Sequence, residues 1–271
     1  MSKLNVKLGM VGCGNMARGI LAGILAHRVL RPDAVVVYDV QSKASKTFKK
    51  AFGVKIAADV YSVFQKSDVV LLAVKPQNAT EALSGLRSKR IRTKLVITIL
   101  AGVLSKRIST FLPKHVKIVR AMPNLGATVG SSFTAICGRN RTDMVLAKKL
   151  FEACGRVVTL PEEKMDLITV LSGSGPAYFF FLMELLAIEG VKYGLSKSAA
   201  QELAVQTALG ASRLAGASGV LKPSDLRRAV TSKGGTTEAV IEHLEFKGLR
   251  KIFAEAIRRG LARARELGRR F

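Results

Sequence analysis

The sequence predicts an α/β unit built on a doubly wound, mostly parallel sheet, followed by an all-α unit. Two observations carry this. Short apolar runs alternate with stretches of helical periodicity from residue 6 to about residue 160, as strands covered by helices require. From about Met165 the strand signals vanish and only helical patterns remain. The chain has 271 residues, enough for two such units, with 48% hydrophobic residues and no low-complexity tract. The expected division is 1–162 and 163–271, with no flexible linker and no internal repeat.

Val6 to Val11 reads as the first strand, ending in Gly12-Cys13-Gly14-Asn15-Met16-Ala17, and Ile20, Leu21, Ile24 and Leu25 then recur at helical spacing. Val35 to Asp39 is the second strand, followed by a helix over Lys43 to Phe52 and the short run Val54 to Ile56. Asp68 to Val74 is a buried strand closed by Lys75-Pro76, because proline cannot continue a ladder. Leu95 to Leu100 and Val116 to Arg120 are further strands, with helices at Ala82 to Leu86 and Ser105 to Leu112. Met122-Pro123-Asn124 breaks the chain; Phe133 to Cys137 and Val157 to Leu160 are the last strands, flanking a helix over Met144 to Ala153. The all-α half reads as Pro176–Tyr193, Lys197–Ala215, Pro223–Thr231, Thr236–Leu244 and Leu249–Leu267, punctuated by glycines.

Gly12-x-Gly14-x-x-Ala17 between a strand and a helix is the Rossmann dinucleotide fingerprint with alanine in third place. Gly12 permits the tight turn, Gly14 lets a pyrophosphate approach the backbone, and Ala17 lets helix and strand pack closely. Asp39 ends the second strand, where an acid can accept from ribose hydroxyls and favour NADH. Ser42, Lys43 and Lys46 can instead meet a 2′-phosphate, and the positive surroundings favour NADPH. Ala73-Val74-Lys75-Pro76 lies at the carboxyl end of a strand, where open sheets place their ligand; a plain surface lysine is the alternative for Lys75.

The charge is large and lopsided. Forty-four Lys and Arg against 19 Asp and Glu give +25, of which residues 1–160 carry +20 and residues 161–271 carry +5. The basic residues are scattered, with little aromatic interleaving and no nucleic-acid module, so nucleic acid is not expected as the main partner. The field reads as solvated surface that also favours an anionic ligand. The most apolar stretch, Pro176 to Val191, carries Glu184 and Glu189 and is short for a bilayer, so no membrane is expected. Cys13, Cys137 and Cys154 have no metal-like spacing, and neither a signal peptide nor a metal site is expected. The protein reads as cytoplasmic and reduced.

Two stretches remain. Leu171 to Glu184, LSGSGPAYFFFLME, joins small residues to a helix apolar on nearly every side, which must lie in a core or a subunit interface. Its start, beside Ser172 and Ser174, is either a capped core helix or an anion-facing helix terminus. Ser232-Lys233-Gly234-Gly235-Thr236-Thr237 precedes a helix, so it is either a helix cap or a carboxylate-binding loop of successive N–H groups and hydroxyls. His27, His115 and His243 are scattered, and no lysine follows the SGSG start to serve as a base. Hydride reduction of an imine fits such a site, because the substrate nitrogen arrives already protonated.

The motifs GCGNMA (12–17), LAVKPQ (72–77), RAMPN (120–124), LSGSGPAY, QTALGAS (206–212) and SKGGTTEA (232–239) together make the chain resemble pyrroline-5-carboxylate reductases over nearly its whole length. The resemblance implies a Rossmann domain followed by an all-α dimerisation domain, a homodimer, and a ring of dimers as a larger assembly. It implies hydride transfer from a nicotinamide to 1-pyrroline-5-carboxylate to give L-proline; with the charge reading above, the expected cofactor is NADPH, with NADH possible. A related reductase of another cyclic imine or a hydroxy acid is the alternative. Carried over, Gly12, Cys13, Gly14, Asn15, Met16 and Ala17 hold the pyrophosphate. Ala73, Val74, Lys75 and Pro76 line the nicotinamide side, and Met122, Pro123 and Asn124 flank the ring. Ser174, Ser232, Gly234, Gly235 and Thr236 receive the substrate, its carboxylate on the GGTT loop, with the Thr237 hydroxyl on the ring nitrogen. In the family that loop completes a site whose other wall is the partner chain's cofactor domain. Three departures stand out: MPNLGA where the family often reads MPNTPA, Lys233 where many members have proline, and no acidic or histidine residue around Gly219 to Lys222.

Overall fold

The computed structural model describes residues 3–217, 219 and 222–269; Val220 and Leu221, within the departure at 219–222, and the extreme ends of the expected division lie outside the described residues. The chain forms two compact units, Met1–Ser174 with Gly260–Phe271, and Gly175–Arg259. In the first unit the elements are β1 (Leu8–Val11), α1 (Asn15–Ala26), β2 (Val35–Tyr38), α2 (Ser42–Phe52) and β3 (Lys55–Ile56). They continue with α3 (Val60–Lys66), β4 (Val69–Leu72), α4 (Ala79–Leu83), β5 (Leu95–Thr98) and α5 (Ser105–Ser109). β6 (Lys117–Met122), β7 (Ser132–Gly138), α6 (Arg141–Glu152), β8 (Gly155–Thr159) and α7 (Met165–Ile168) complete the unit's own elements.

The eight strands make one sheet in the order β3-β2-β1-β4-β5-β6-β7-β8. Every pairing is parallel except β6 with β7. Strand side chains alternate between two cores. Leu8, Met10, Val35, Val37, Val69 and Leu71 meet α1, α2 and α6 on one face. Val36, Val70, Leu72 and Val96 meet α3, α4 and α5 on the other. Each such fully buried aliphatic side chain contributes roughly 1.5–3 kcal/mol, which is why both helical layers hold. α1 buries Ala17, Ile20, Leu21 and Ile24, one stripe at helical spacing.

Helix α3 is a finding the apolar pattern does not announce. It has seven residues, wedged between two strand signals, and its start is fixed by Asp59, whose carboxylate accepts from the Ser62 N–H at 2.6 Å. The helix expected at 82–86 lies instead at Ala79–Leu83, after the proline turn Pro76–Asn78, and is followed by a short 3-10 turn at Leu86–Ser88.

The second unit holds α8 (Gly175–Lys192), α9 (Lys197–Ala217), α10 (Pro223–Ala229), α11 (Thr236–Phe246) and most of α12 (Leu249–Arg269). α8 and α9 pack closely, with Gly190 against Ala200, and a groove of about 700 Å³ runs beside Met183, Ile188, Val191 and Val205. α8 differs from its sequence expectation at its start. It starts at Gly175, after a π turn over Thr169–Gly173, so Pro176 is its second residue and the start is not a free-standing terminus. Of the two expected places for this helix, a core or a subunit interface, the core is excluded within one chain: Phe179, Phe180 and Phe181 are 60%, 56% and 59% exposed. The helical path Glu162–Lys192 is long and apolar enough to cross a membrane by length and composition alone.

Candidate active site

The turn after β1 is shaped by what surrounds it. Gly12 has φ +101°, and a side chain there would meet the Ala73 carbonyl oxygen at 2.6 Å, so the β1 turn and the carboxyl end of β4 touch through bare backbone. Gly14 begins α1 as its cap with no side-chain cap bond, and a Cβ on it would point into open space. The first turn of this 12-residue helix carries no acid, so the N–H groups of Asn15, Met16 and Ala17 face that space with the positive end of the dipole. This cradle fits a pyrophosphate. Ala17 is buried beneath it.

Asp39 does something the sequence does not disclose. One carboxylate oxygen accepts from the Cys13 N–H at 2.7 Å, and the other accepts from the Gln41 N–H at 2.8 Å. Its own N–H donates to the Ser45 hydroxyl at 2.9 Å. The acid therefore ties the β1 turn to the start of α2. Ser45, 2% exposed, is the supporting residue that the pattern misses; its polar side chain on the inner face of α2 is the signal. Ser42 and Lys43 open α2, whose first turn also lacks an acid, and both are exposed. The Cys13 thiol is pushed up to about 12, first by burial and then by Asp39, so it is inert.

Ala73 and Val74 are half-buried beside the turn and Lys75 is exposed, capping the proline turn. Met122 and Pro123 are buried, and Asn124 is the hub of the next segment. Its N–H donates to the Ser132 hydroxyl at 3.1 Å and its Oδ1 accepts from the Gly126 N–H at 3.0 Å. Its Nδ2 donates to the Ser172 hydroxyl at 3.1 Å, which donates in turn to the Phe133 carbonyl. The MPN and SGSG motifs are thus joined, with Met122 beside Gly173. The Gly126 departure is part of this knot, because a proline there has no N–H to give. Ser174 is exposed at the end of the first unit.

The first unit also holds a part-buried ion pair. Arg120, 2% exposed, meets Glu162 at 3.1 Å, and the Ser105 N–H donates to the same carboxylate at 2.8 Å. Burial alone pushes the Glu162 carboxyl up, but the Ser105 N–H and the guanidinium outweigh it and hold it below its ordinary value.

The GGTT turn lies in the second unit. Gly234 has φ +75°, which favours glycine, and a Cβ on Gly235 would fall 2.5 Å from the Ser232 hydroxyl and displace it. Gly235 caps α11 with no side-chain bond, so neither Thr236 nor Thr237 acts as the cap. Glu238 instead accepts from the Gly234 N–H at 2.6 Å; an acid in the first helical turn is the signal for it. Among the described residues, no hydrogen bond engages the Ser232, Thr236 and Thr237 hydroxyls.

Residues 162–267 match the family model described as pyrroline-5-carboxylate reductase dimerisation, and residues 7–102 match that described as NADP oxidoreductase, coenzyme F420-dependent. A pyrroline-5-carboxylate reductase of Synechocystis is 40% identical over 98% of this chain and 100% of its own. The chain belongs to the pyrroline-5-carboxylate reductase family. The solved reductase of Coxiella burnetii has 36% identity and a TM-score of 0.88, covering 97% of this chain and 99% of its own. That of Plasmodium falciparum, solved with NADP bound, has 26% identity and a TM-score of 0.86, covering 98% and 100%. Within this reductase family, the glycine turn, the MPN motif and the GGTT turn are the parts the sequence singles out; the Asn124 knot is what the structure adds.

Proposed function

We propose that this chain reduces 1-pyrroline-5-carboxylate to L-proline with NADPH, the last step of proline biosynthesis. The carrying observation is family membership together with an intact cradle: Gly14 open to solvent at an uncapped helix start that Asp39 braces. A reduced nicotinamide held here would supply the hydride for C5 of the substrate imine, with the C=N π pair passing to the nitrogen. The chain's own residues do the rest. The N–H groups of Asn15 and Met16 hold the pyrophosphate, and Ser42 and Lys43, at an acid-free helix start, receive the 2′-phosphate. Ala73 to Pro76 and Met122 to Asn124 orient the nicotinamide. Backbone N–H groups of the GGTT loop and the Ser232 hydroxyl hold the substrate carboxylate, and Ser174 and Thr236 line its pocket. The Thr237 hydroxyl keeps the ring nitrogen in place.

The functional boundary lies at 162/163; a dimerisation match that starts at residue 162, one residue away, supports this. A homodimer through the helical domain, assembled into a ring of dimers, covers the apolar face of α8. A reducing, cytoplasmic setting agrees with three buried free thiols. The test is consumption of NADPH and NADH with 1-pyrroline-5-carboxylate, with proline identified as product. Turnover faster with NADPH supports the reading; cofactor binding without proline contradicts it. Thr237→Ala lowers kcat by about tenfold with the KM for cofactor unchanged, the cost of one lost hydrogen bond at the reacting nitrogen. Unaltered kcat removes Thr237 from the mechanism.

A further inference from the structure

The edge of the sheet opposite the glycine cradle carries a row of cations that catalysis does not use. Strands β1 to β6 run the same way and put their amino ends on one side, and four of the six begin on a basic residue or directly after one. The Lys117 N–H donates to the Lys94 carbonyl, the Lys94 N–H to the Asp68 carbonyl, and the Asp68 N–H to the Lys7 carbonyl. These four residues therefore sit side by side across β1, β4, β5 and β6. Lys55 opens β3 beyond them. At the other end β7 runs back, so that Gly138 faces Val119 and Arg139 emerges at the same edge. Lys7, Lys55, Arg92, Lys94, Lys117 and Arg139 are all exposed. Of the acids nearby, Asp68 is taken up by Arg92 at 2.8 Å and by the Lys7 N–H, and Asp33 by Arg31. Asp143 faces Lys117 from α6, and its carboxyl is raised first by burial, with Lys117 opposing.

Strands lie about 4.8 Å apart, so the row from β3 to β7 extends about 30 Å. That is close to one turn of duplex nucleic acid, about 34 Å, with a phosphate every 3.4 Å or so along each strand. We propose that this basic sheet edge binds the phosphate backbone of duplex nucleic acid, independently of base sequence and of the reductase site. Sequence independence follows from the absence of an element that enters a groove and from the lack of aromatic residues in the row. The charge asymmetry between the two halves of the chain, +20 against +5, places the field in the half that carries this edge.

The experiment is fluorescence anisotropy of a labelled 30-base-pair duplex with the full-length protein over a salt series. The wild type binds with a steep salt dependence and with equal affinity for unrelated sequences. The Lys7→Gln, Lys94→Gln, Lys117→Gln variant binds at least about tenfold more weakly at low salt, and its log–log salt slope falls by about 3. Lys197→Gln, Lys247→Gln, Lys251→Gln changes the net charge equally and leaves binding within about twofold. Thermal melts establish that both variants are folded; if the first is not, Lys55→Gln with Arg139→Gln replaces it, with a slope fall of about 2. No binding by the wild type, equal losses in both lysine sets, or preference for vesicles of anionic lipid over the duplex overturns the proposal. Reductase turnover is not the readout, so this test fails or succeeds apart from the proposed activity.

Discussion

The glycine turns at Gly12 and Gly234 each launch a helix, and their surroundings are opposite. The turn at Gly12 sits on a sheet, braced by Asp39 and backed by the buried stripe of α1. The turn at Gly234 rests on α11, which buries no residue fully, with the Glu238 carboxylate as its local brace. α8 in the same unit shows its phenylalanines to solvent. A turn anchored in a closed core is finished by one chain. The unit that carries the second turn leaves its most apolar helix bare, and residues 162–267 match a dimerisation family; under the proposed function, a partner chain finishes that turn.

The sharpest break in this contrast is Gly12→Ala. The positive φ and the Ala73 carbonyl 2.6 Å from the new Cβ together cost at least about 3 kcal/mol, so cofactor affinity falls by about 100-fold or more. Titration of NADPH by fluorescence measures it, and an affinity within tenfold of wild type would show that the turn is not rigid. Next comes Asp39→Ala. Both carboxylate oxygens hold backbone N–H groups, so the loss is about tenfold for NADPH and NADH alike. A loss confined to NADH would restore Asp39 as a ribose selector. Lys43→Ala is the complement: about fivefold weaker NADPH with NADH unchanged, read from the ratio of the two KM values.

The smallest effect concerns acid. Glu162 is held low, so its contribution to stability is complete above its unfolded value of 4.5 and is lost as pH falls through the lower folded value. Because a third of the side chain is exposed, the fall in thermal midpoint over that window is about 2–4 °C. Glu162→Gln flattens it, whereas an unchanged acid limb assigns that loss to other carboxylates.

Much of this was legible in the residues, and the gaps have physical causes. The strands from Leu8 to Thr159 stood out because parallel strands covered on both faces read as unbroken apolar runs. α3 did not, since seven residues are too few for a helical period to separate from neighbouring strands. The glycine turn was visible as a spacing, but the double use of Asp39 was not, because a carboxylate facing ribose and one facing backbone look the same in sequence. The Asn124–Ser172 bond joins residues 48 positions apart, which no local pattern encodes. The all-round apolar character of α8 announced a buried helix; one chain alone leaves it exposed, since sequence gives the need for cover without its source.

The measurement that tests the contrast most directly is the Phe180→Glu variant, which puts a charge on the bare face of α8, assayed for mass in solution, NADPH binding and turnover. The account predicts a monomer that binds NADPH within about twofold of wild type and reduces 1-pyrroline-5-carboxylate at least about 30-fold more slowly. A monomer with full turnover would contradict it, because the GGTT turn would then be complete within a single chain.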